Sequence, residues 1–196
     1  ETDSILYEYG LSTEFEDKVE EEAKKISSTI TKEEVKKRRD MRGELTFTID
    51  PVDAKDFDDA ISFKKIEENK YEVGIHIADV SHYVRPGSKI DEEAQNRATS
   101  VYLVDRVIPM LPETLSNNLC SLRPNEEKLT FSALFLINKN GDIKDEWFGK
   151  TITESDLRLS YEEAQHIIET GQEKIPKEHT ILKKEKKVTQ KTVEAI

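Results

Sequence analysis

Aspartates are concentrated in one short stretch of the chain, residues 48–60, which reads T-I-D-P-V-D-A-K-D-F-D-D-A. The five aspartates are Asp50, Asp53, Asp56, Asp58 and Asp59. Apolar and polar residues alternate before the stretch, and apolar residues follow it, so it is predicted to connect two strands of a packed sheet. Carboxylates held together repel one another unless a cation offsets their charge. Hard divalent ions such as Mg²⁺ bind oxygen ligands, so the chemistry indicated is that of a metal site.

We call residues 48–60 the aspartate loop. Residue types and spacing leave two interpretations of it open. In the first, the carboxylates hold ions for phosphodiester hydrolysis, in which two ions about 3.5–4 Å apart activate a water molecule and stabilise the leaving oxygen. In the second, the aspartates only cap turns in an acidic loop. A calcium-binding EF-hand is excluded, because it requires acidic residues at alternate positions and a central glycine, which this stretch lacks.

Composition restricts the function classes. The chain has 196 residues, of which 36% are charged, and its formal net charge is −11. Phosphate contacts need lysine and arginine, so this balance by itself argues against a nucleic-acid-binding protein. The single cysteine excludes an internal disulfide and fits a reducing, cytoplasmic compartment. The longest apolar stretch, residues 129–137, is too short to span a membrane, so no membrane association is expected.

Residues 1–40 are predicted to form a helical lead-in or linker. Its apolar stripe consists of Phe15, Val19, Ala23 and Ile26, spaced three to four residues apart. The spacing of Thr13 and Glu16 indicates a capping box at the start of this helix. A second helix is predicted to begin at Thr31. The basic run at residues 36–39 is interpreted as a solvated helix face.

The rest of the chain alternates strand and helix patterns, which predict an α+β fold: a mixed, largely antiparallel sheet with flanking helices. The predicted strands are 45–49, 60–63, 71–77, 129–137 and 142–152, and the last two form a hairpin. Ser88 and Ser160 are each followed three residues later by an acidic residue and are predicted to cap helices. Residues 116–124 are predicted to be irregular.

Several blocks of sequence, in order, resemble the ribonuclease II and ribonuclease R family, and ribonuclease R more closely. The blocks are R-D-M-R at 39–42, the aspartate loop, G-I-H-I-A-D-V-S-H-Y-V at 74–84, A-T-S-V-Y-L at 98–103, R-V-I-P-M-L-P-E at 106–113 and S-N-N-L-C-S-L at 116–122. The resemblance covers the whole chain, and residues 41–196 are identified with the N-terminal portion of the family's catalytic RNB domain.

The resemblance implies a processive 3′→5′ exoribonuclease that depends on Mg²⁺, with Mn²⁺ able to substitute, and that acts on the 3′ end of single-stranded RNA. It releases 5′-nucleoside monophosphates. The family's catalytic and metal-binding aspartates match Asp50, Asp56, Asp58 and Asp59, whereas Asp53 is accessory. Its base-stacking tyrosine matches Tyr102, and a base–aromatic stack contributes about 1–3 kcal/mol. No stable protein partner is expected.

The resemblance also implies that parts of the family's architecture lie outside this sequence. Those parts are the cold-shock and S1 oligonucleotide-binding domains and the second half of the catalytic domain, which carries a catalytic arginine. The chain is therefore expected to be a fragment whose activity alone is open. The alternative is a non-catalytic acidic binding or scaffold fragment.

Other residues whose side chains could react or bind a ligand are interpreted as structural. His76 and His82 flank Asp79, but the strand pattern around His76 favours a hydrogen-bonded, partly buried histidine. Cys120 lies between apolar and small residues and is interpreted as part of the core. The basic run at 183–187 is interpreted as a solvated helix face rather than an RNA contact.

Overall fold

The structure is a computed structural model that describes residues 2–173 and 188–196, so the basic run at 183–187 lies outside the described residues. The helices are α1 (Thr2–Glu8), α2 (Asp17–Lys25), α3 (Lys32–Lys36), α4 (Val80–Tyr83), α5 (Lys89–Arg97), α6 (Tyr161–Thr170) and α7 (Gln190–Ala195), with a π-helix at Leu115–Leu119. The strands are β1 (Arg39–Asp40), β2 (Leu45–Asp50), β3 (Asp59–Glu67), β4 (Lys70–Ala78), β5 (Val101–Tyr102), β6 (Val107–Ile108), β7 (Glu127–Asn138), β8 (Ile143–Glu154) and β9 (Leu157–Ser160). Among these described residues, none of the helices combines the length and apolarity needed to cross a membrane.

The chain divides into two compact units. A helical unit comprises Glu1–Thr29 and Val80–Leu119, and a sheet unit comprises Ile30–Asp79 and Cys120–Ile196. The helical unit contains α1, α2, α4, α5, the π-helix and the short β5–β6 pair. The sheet unit contains every other element, including the strands on both sides of the aspartate loop. The predicted division after residue 40 stays a prediction.

The sheet unit is built on seven strands in the order β1-β8-β7-β4-β3-β2-β9. The central neighbours are antiparallel, whereas β1 pairs with β8 and β2 with β9 in parallel at the two edges. The predicted hairpin is present and longer than expected, with its turn between Asn138 and Ile143. The predicted fold class, α+β with a mixed and largely antiparallel sheet, is confirmed.

One apolar core cluster of the sheet unit lies at the β2–β9 edge. Its buried members are Phe47, Leu157, Leu159, Ala164 and Ile167, which join β2 and β9 to α6. As predicted, Ser160 caps α6: its hydroxyl accepts from the Glu163 N–H at 3.1 Å, and the Glu163 carboxylate accepts from the Ser160 N–H at 2.9 Å. This reciprocal capping box fixes the point at which β9 turns into the helix.

The sheet face that carries Phe47 continues across β4, β7 and β8, where its apolar side chains are exposed. Ile75, Ile77, Phe131 and Phe148 are between 43% and 55% exposed there. The strand register places Ile77 between Asp59 on β3 and Phe131 on β7. Exposed apolar surface therefore begins beside the first residue of β3, on the face to which Asp59 belongs.

The opposite face of these strands carries buried polar residues. The His76 Nδ1 atom lies 2.6 Å from the Ser132 Oγ atom, which also bonds the Thr151 hydroxyl. Thr151 in turn lies 2.6 Å from the Thr130 hydroxyl. His76 is fully buried, and burial lowers its pKa to about 4. The expectation of a partly buried, hydrogen-bonded histidine therefore understated its burial, and its second ring nitrogen has no partner among the described residues.

The helical unit corrects one detail of the N-terminal prediction. Helix α2 begins at Asp17 with Glu16 as its N-cap, and no side-chain capping bond forms, so the capping box predicted at Thr13 is wrong. The Arg97 guanidinium is the physical reason: it donates to the Glu14 carbonyl at 2.6 Å and stacks on the Phe15 ring at 3.8 Å. These contacts hold the segment before Glu16 in a non-helical conformation.

Three other local predictions have clear outcomes. Thr31 and Ser88 cap α3 and α5 as predicted, each accepting a hydrogen bond from the backbone N–H three residues later. The segment predicted to be irregular from residue 116 instead begins within the π-helix Leu115–Leu119. The two apolar side chains at the ends of that π-helix, Leu115 and Leu119, are both buried, so apolar burial holds a conformation that local propensity does not signal.

Candidate active site at the aspartate loop

The four aspartates singled out by the family resemblance lie at and between the ends of two neighbouring strands. Asp50 is the last residue of β2, Asp59 is the first residue of β3, and Asp56 and Asp58 lie in the connection. The connection begins with a turn in which the Ala54 N–H donates to the Pro51 carbonyl at 3.1 Å. The two strands are antiparallel neighbours, so they bring the first and last carboxylates of the loop to one edge of the sheet.

Backbone hydrogen bonds hold the second half of the loop. The Ser121 hydroxyl donates to the Lys55 carbonyl at 2.8 Å and accepts from the Phe57 N–H at 3.1 Å. The Phe57 carbonyl accepts from the Leu122 N–H at 2.8 Å, and the Phe57 side chain is buried. These bonds fix the residue that separates Asp56 from Asp58. Ser121 lies 64 residues away in sequence, so spacing within the loop did not reveal it.

The end of β4 holds the next residue of the loop. The Ala78 N–H donates to the Asp58 carbonyl at 2.9 Å. Asp79, which follows, has a buried carboxylate that accepts from Arg38 Nη2 at 2.7 Å. Arg38 has no exposed side-chain surface and also donates to the carbonyls of Thr130 and Thr151. The interpretation of residues 36–39 as a solvated face is therefore wrong for Arg38, because buried acceptors far away in sequence are among its partners.

Arg158 on β9 holds the first half of the loop. Its Nη2 atom donates to the Pro51 carbonyl at 2.7 Å and to the Val52 carbonyl at 2.6 Å. Its guanidinium also lies 4.8 Å from the centre of the Phe57 ring. Sequence reasoning did not single out this residue, since a lone arginine between two leucines in a strand carries no motif.

The electrostatics of the loop are those of crowded carboxylates. Burial first, and then the charges of Asp56, Asp59 and Asp50, raise the pKa of Asp58 to about 6. Burial is also the main cause that raises the pKa of Asp50, with Asp59 and Asp56 adding to it. The Thr48 hydroxyl and the positive charge of Arg158 act on Asp50 in the opposite direction. The four aspartates thus repel one another, which is the condition that favours a bound cation.

The donor set fits a hard divalent cation, although the side chains do not form a preassembled cage. Across residues 2–173 and 188–196, no three His, Cys, Asp or Glu side chains form a group that could hold a metal ion. Mg²⁺ usually takes only one or two protein carboxylates and completes its shell with water and substrate phosphate. Asp50 is the candidate for such a donor, because its buried Oδ2 atom has no hydrogen-bond partner within the described residues.

Three further residues weighed from the sequence are Asp53, Tyr102 and Cys120. Asp53, set aside as accessory, is exposed in the turn closed by Pro51 and Ala54. Tyr102 belongs to the helical unit, on β5, and its side chain is 64% exposed. Cys120 is buried, and burial is the main cause that raises its pKa to about 12, as expected for a core thiol rather than a nucleophile.

Comparison with known proteins identifies the family. Residues 38–195 match the RNB domain. The chain is 49% identical over 177 residues to DIS3-like exonuclease 2 of Xenopus tropicalis, covering 89% of this chain and 21% of that relative. It is 45% identical over 169 residues to ribonuclease R 2 of Lactococcus lactis, covering 86% of this chain and 25% of that relative. The chain therefore spans about a fifth to a quarter of the length of these relatives.

A solved structure shares the fold. The structure of Mycoplasma genitalium RNase R in complex with ribose-methylated single-stranded RNA has a TM-score of 0.80 and 34% sequence identity, covering 91% of this chain and 28% of that one. The resemblance to the ribonuclease R family is therefore confirmed by sequence and by fold. The chain belongs to the family of proteins that carry the RNB domain.

Proposed function

We propose that this chain carries the aspartate side of the active site of a processive, Mg²⁺-dependent 3′→5′ exoribonuclease that hydrolyses single-stranded RNA to 5′-nucleoside monophosphates. One observation carries the proposal. The carboxylates of Asp50, Asp56, Asp58 and Asp59 crowd one loop. Burial, followed by the charges of the other three aspartates, raises the pKa of Asp58 to about 6. Strongly perturbed carboxylates held by a rigid scaffold are characteristic of functional sites.

In the proposed mechanism the four aspartates bind divalent cations directly or through water, with Asp50, Asp58 and Asp59 as the principal ligands. A bound Mg²⁺ supplies positive charge that offsets the carboxylates and lowers the pKa of a coordinated water molecule. Asp56 positions an ion, the water or the terminal ribose hydroxyl. No aspartate has to serve as a general base. The Asp58 carboxyl holds a proton below about pH 6, so cation affinity is expected to fall as the pH drops through that value.

The substrate part of the proposal rests on exposed groups and on relatives. The phenol of Tyr102 is accessible for stacking on a nucleobase, a contact that every base can make. Mycoplasma genitalium RNase R is described in complex with ribose-methylated single-stranded RNA in one structure and with double-stranded RNA in another, so RNA is the polymer proposed here. The proposed location is the cytoplasm, in keeping with a free, buried cysteine.

Calorimetric titration of the purified chain with Mg²⁺ and Mn²⁺ tests the metal-binding half of the proposal. The native chain is expected to bind both ions at pH 7.5. Asp59→Asn is expected to weaken binding, whereas Asp53→Asn, at an exposed turn, serves as the matched control and should bind like the native chain. Absence of binding by the native chain would contradict the proposal and favour a non-catalytic acidic scaffold.

Hydrolysis is tested in a chimera, because the chain spans only part of its relatives' length. The chain replaces the matching segment of ribonuclease R 2 of Lactococcus lactis, and decay of a 5′-labelled single-stranded RNA is followed with Mg²⁺. Asp59→Asn is expected to abolish stepwise shortening from the 3′ end, and Asp53→Asn to preserve it. A folded chimera whose RNA decay is unchanged by Asp59→Asn would show that the site assignment is wrong.

A further inference from the structure

The geometry points to Arg158 as the positioning residue of the aspartate loop: we propose that its guanidinium locks the first half of the loop in the conformation that binds a divalent cation. The inference rests on the proposed function of the loop. Arg158 follows the last residue of the loop, Ala60, by 98 positions in the sequence. It reaches the loop because β9 pairs in parallel with β2.

The contacts of Arg158 span the loop from its start to its middle. The Nη2 atom donates both of its hydrogens, one to the Pro51 carbonyl at 2.7 Å and one to the Val52 carbonyl at 2.6 Å. The Pro51 carbonyl also accepts from the Ala54 N–H, so the arginine and the turn share one acceptor. The guanidinium plane then covers the Phe57 ring at 4.8 Å. One side chain therefore joins the turn to the residue between Asp56 and Asp58.

These contacts suit arginine better than lysine. A guanidinium is flat, so it can stack on an aromatic ring while its edge donates to two carbonyls. A lysine ammonium keeps the positive charge but has no planar face. The position also follows from strand alternation. Leu157 and Leu159 point into the core with α6, so Arg158 lies on the other face of β9.

Arg158 also neighbours the first carboxylate of the loop. Thr48 is its direct partner in the strand register, and Asp50 lies two residues further along the same face of β2. Thr48 Oγ1, Asp50 Oδ2 and Arg158 Nε are all buried and lack a partner in hydrogen-bond geometry within the described residues. The strand register places all three side chains on one face of β2 and β9. Loss of the guanidinium would thus disturb Asp50 as well as the turn.

Two measurements on the 196-residue chain test the inference. The first is hydrogen exchange of the Ala54 amide without added metal, referred to the Gly141 amide in the hairpin turn, which bonds the Asn138 carbonyl at 3.0 Å. The second is Mn²⁺ affinity by calorimetry. Arg158→Ala is expected to speed Ala54 exchange at least tenfold relative to Gly141 and to weaken Mn²⁺ binding about tenfold. Arg158→Lys is expected to give changes of about threefold in the same directions.

The matched control is Arg42→Ala. Arg42 belongs to the same unit and pairs with Asp40 and Glu127, and it shares none of the loop contacts of Arg158. In Arg42→Ala, the exchange rate of the Ala54 amide and the Mn²⁺ affinity are both expected to stay within twofold of the native values. The inference is overturned if a folded Arg158→Ala or Arg158→Lys variant leaves both readouts within twofold. Arg158→Lys keeps the test decisive if the alanine variant does not fold. If the native chain binds no Mn²⁺, the proposed function fails, and Ala54 exchange alone then decides whether Arg158 holds the loop.

Discussion

Replacement of Asp58 by asparagine should make the metal-free chain more stable while it weakens cation binding. Asparagine keeps the size of the side chain and removes its charge. In the native loop that charge is opposed by burial and by the charges of Asp56, Asp59 and Asp50, which together raise the pKa of Asp58 to about 6. Removal of the charge therefore relieves a repulsion that is absent in the unfolded chain.

The size of the effect follows from the pKa difference. An aspartate in an unfolded chain has a pKa of about 3.9, and the difference from about 6 corresponds to about 3 kcal/mol if it acts at full strength. The Asp58 side chain is more than a third exposed, however, and solvent screens such charges strongly. We therefore expect Asp58→Asn to raise the free energy of unfolding by about 1 kcal/mol at pH 7.5. For a chain of this length that is about 2–4 °C in Tm.

The pH dependence identifies the cause. A carboxyl whose pKa is raised on folding contributes stability at pH values below its unfolded pKa and loses that contribution as the pH rises through its folded pKa. The advantage of Asp58→Asn should therefore shrink as the pH falls from about 6 toward about 4, where the native aspartate is protonated. Urea unfolding with a chelator at pH 7.5 and pH 4.5 measures both values, and Asp53→Asn serves as the exposed control.

Addition of Mg²⁺ should reverse the order of stability. A ligand that binds only the folded chain stabilises it in proportion to its affinity, and the native chain keeps the carboxylate that Asp58→Asn lacks. The native chain should therefore gain more from Mg²⁺ than the variant does. The reasoning is refuted if Asp58→Asn destabilises the metal-free chain at pH 7.5, or if its advantage is the same at both pH values.

Three further predictions concern the scaffold. Arg38→Ala and Asp79→Ala should each lower the free energy of unfolding in urea by about 3 kcal/mol, the lower end for a broken buried ion pair, because Glu34 still pairs with Arg38 and Lys150 with Asp79. The double variant should lose less than the sum. Cys120, whose pKa burial raises to about 12, should resist iodoacetamide at pH 8 until urea unfolds the chain, and rapid native-state labelling would contradict its burial. Gly74→Ala should lower stability by about 1–3 kcal/mol, because the added methyl group would meet Ser62 Oγ, His76 Nε2 and Leu134 Cδ2, and an unchanged Tm would argue against that packing.

Local sequence patterns determined much of the sheet unit. The alternation in β2, β3 and β4 predicted three of its strands, and the hairpin of β7 and β8 followed from alternation around an Asn-Gly turn. The caps at Ser88 and Ser160 were legible because a hydroxyl and a carboxylate three residues apart satisfy neighbouring backbone groups. These features depend on residues close in sequence, so the sequence alone predicts them.

For the aspartate loop, the sequence predicts the charges and the tertiary structure decides the conformation. Its carboxylates, the repulsion between them and the cation that this repulsion favours follow from residue types within ten positions. The conformation of the loop does not, because the groups that hold it are Ser121, Ala78 and Arg158. Ser121 and Arg158 are more than 60 residues from the loop. Strand pairing brings Ala78 and Arg158 to the loop, whereas Ser121 comes from the irregular segment before β7. Neither the pairing register nor the path of that segment is encoded within the loop.

The burial of Arg38 is likewise a feature that the sequence alone did not predict. The sequence around Arg38 is a run of basic residues, which in isolation favours solvent, and only the folded sheet supplies the Asp79 carboxylate and the carbonyls of Thr130 and Thr151 that allow its burial. By itself, therefore, the sequence determined the family and the strands β2, β3, β4, β7 and β8, and it predicts the chemistry of the aspartates. The tertiary structure decided which distant side chains hold those aspartates in place, because long-range packing selects partners that no local pattern encodes.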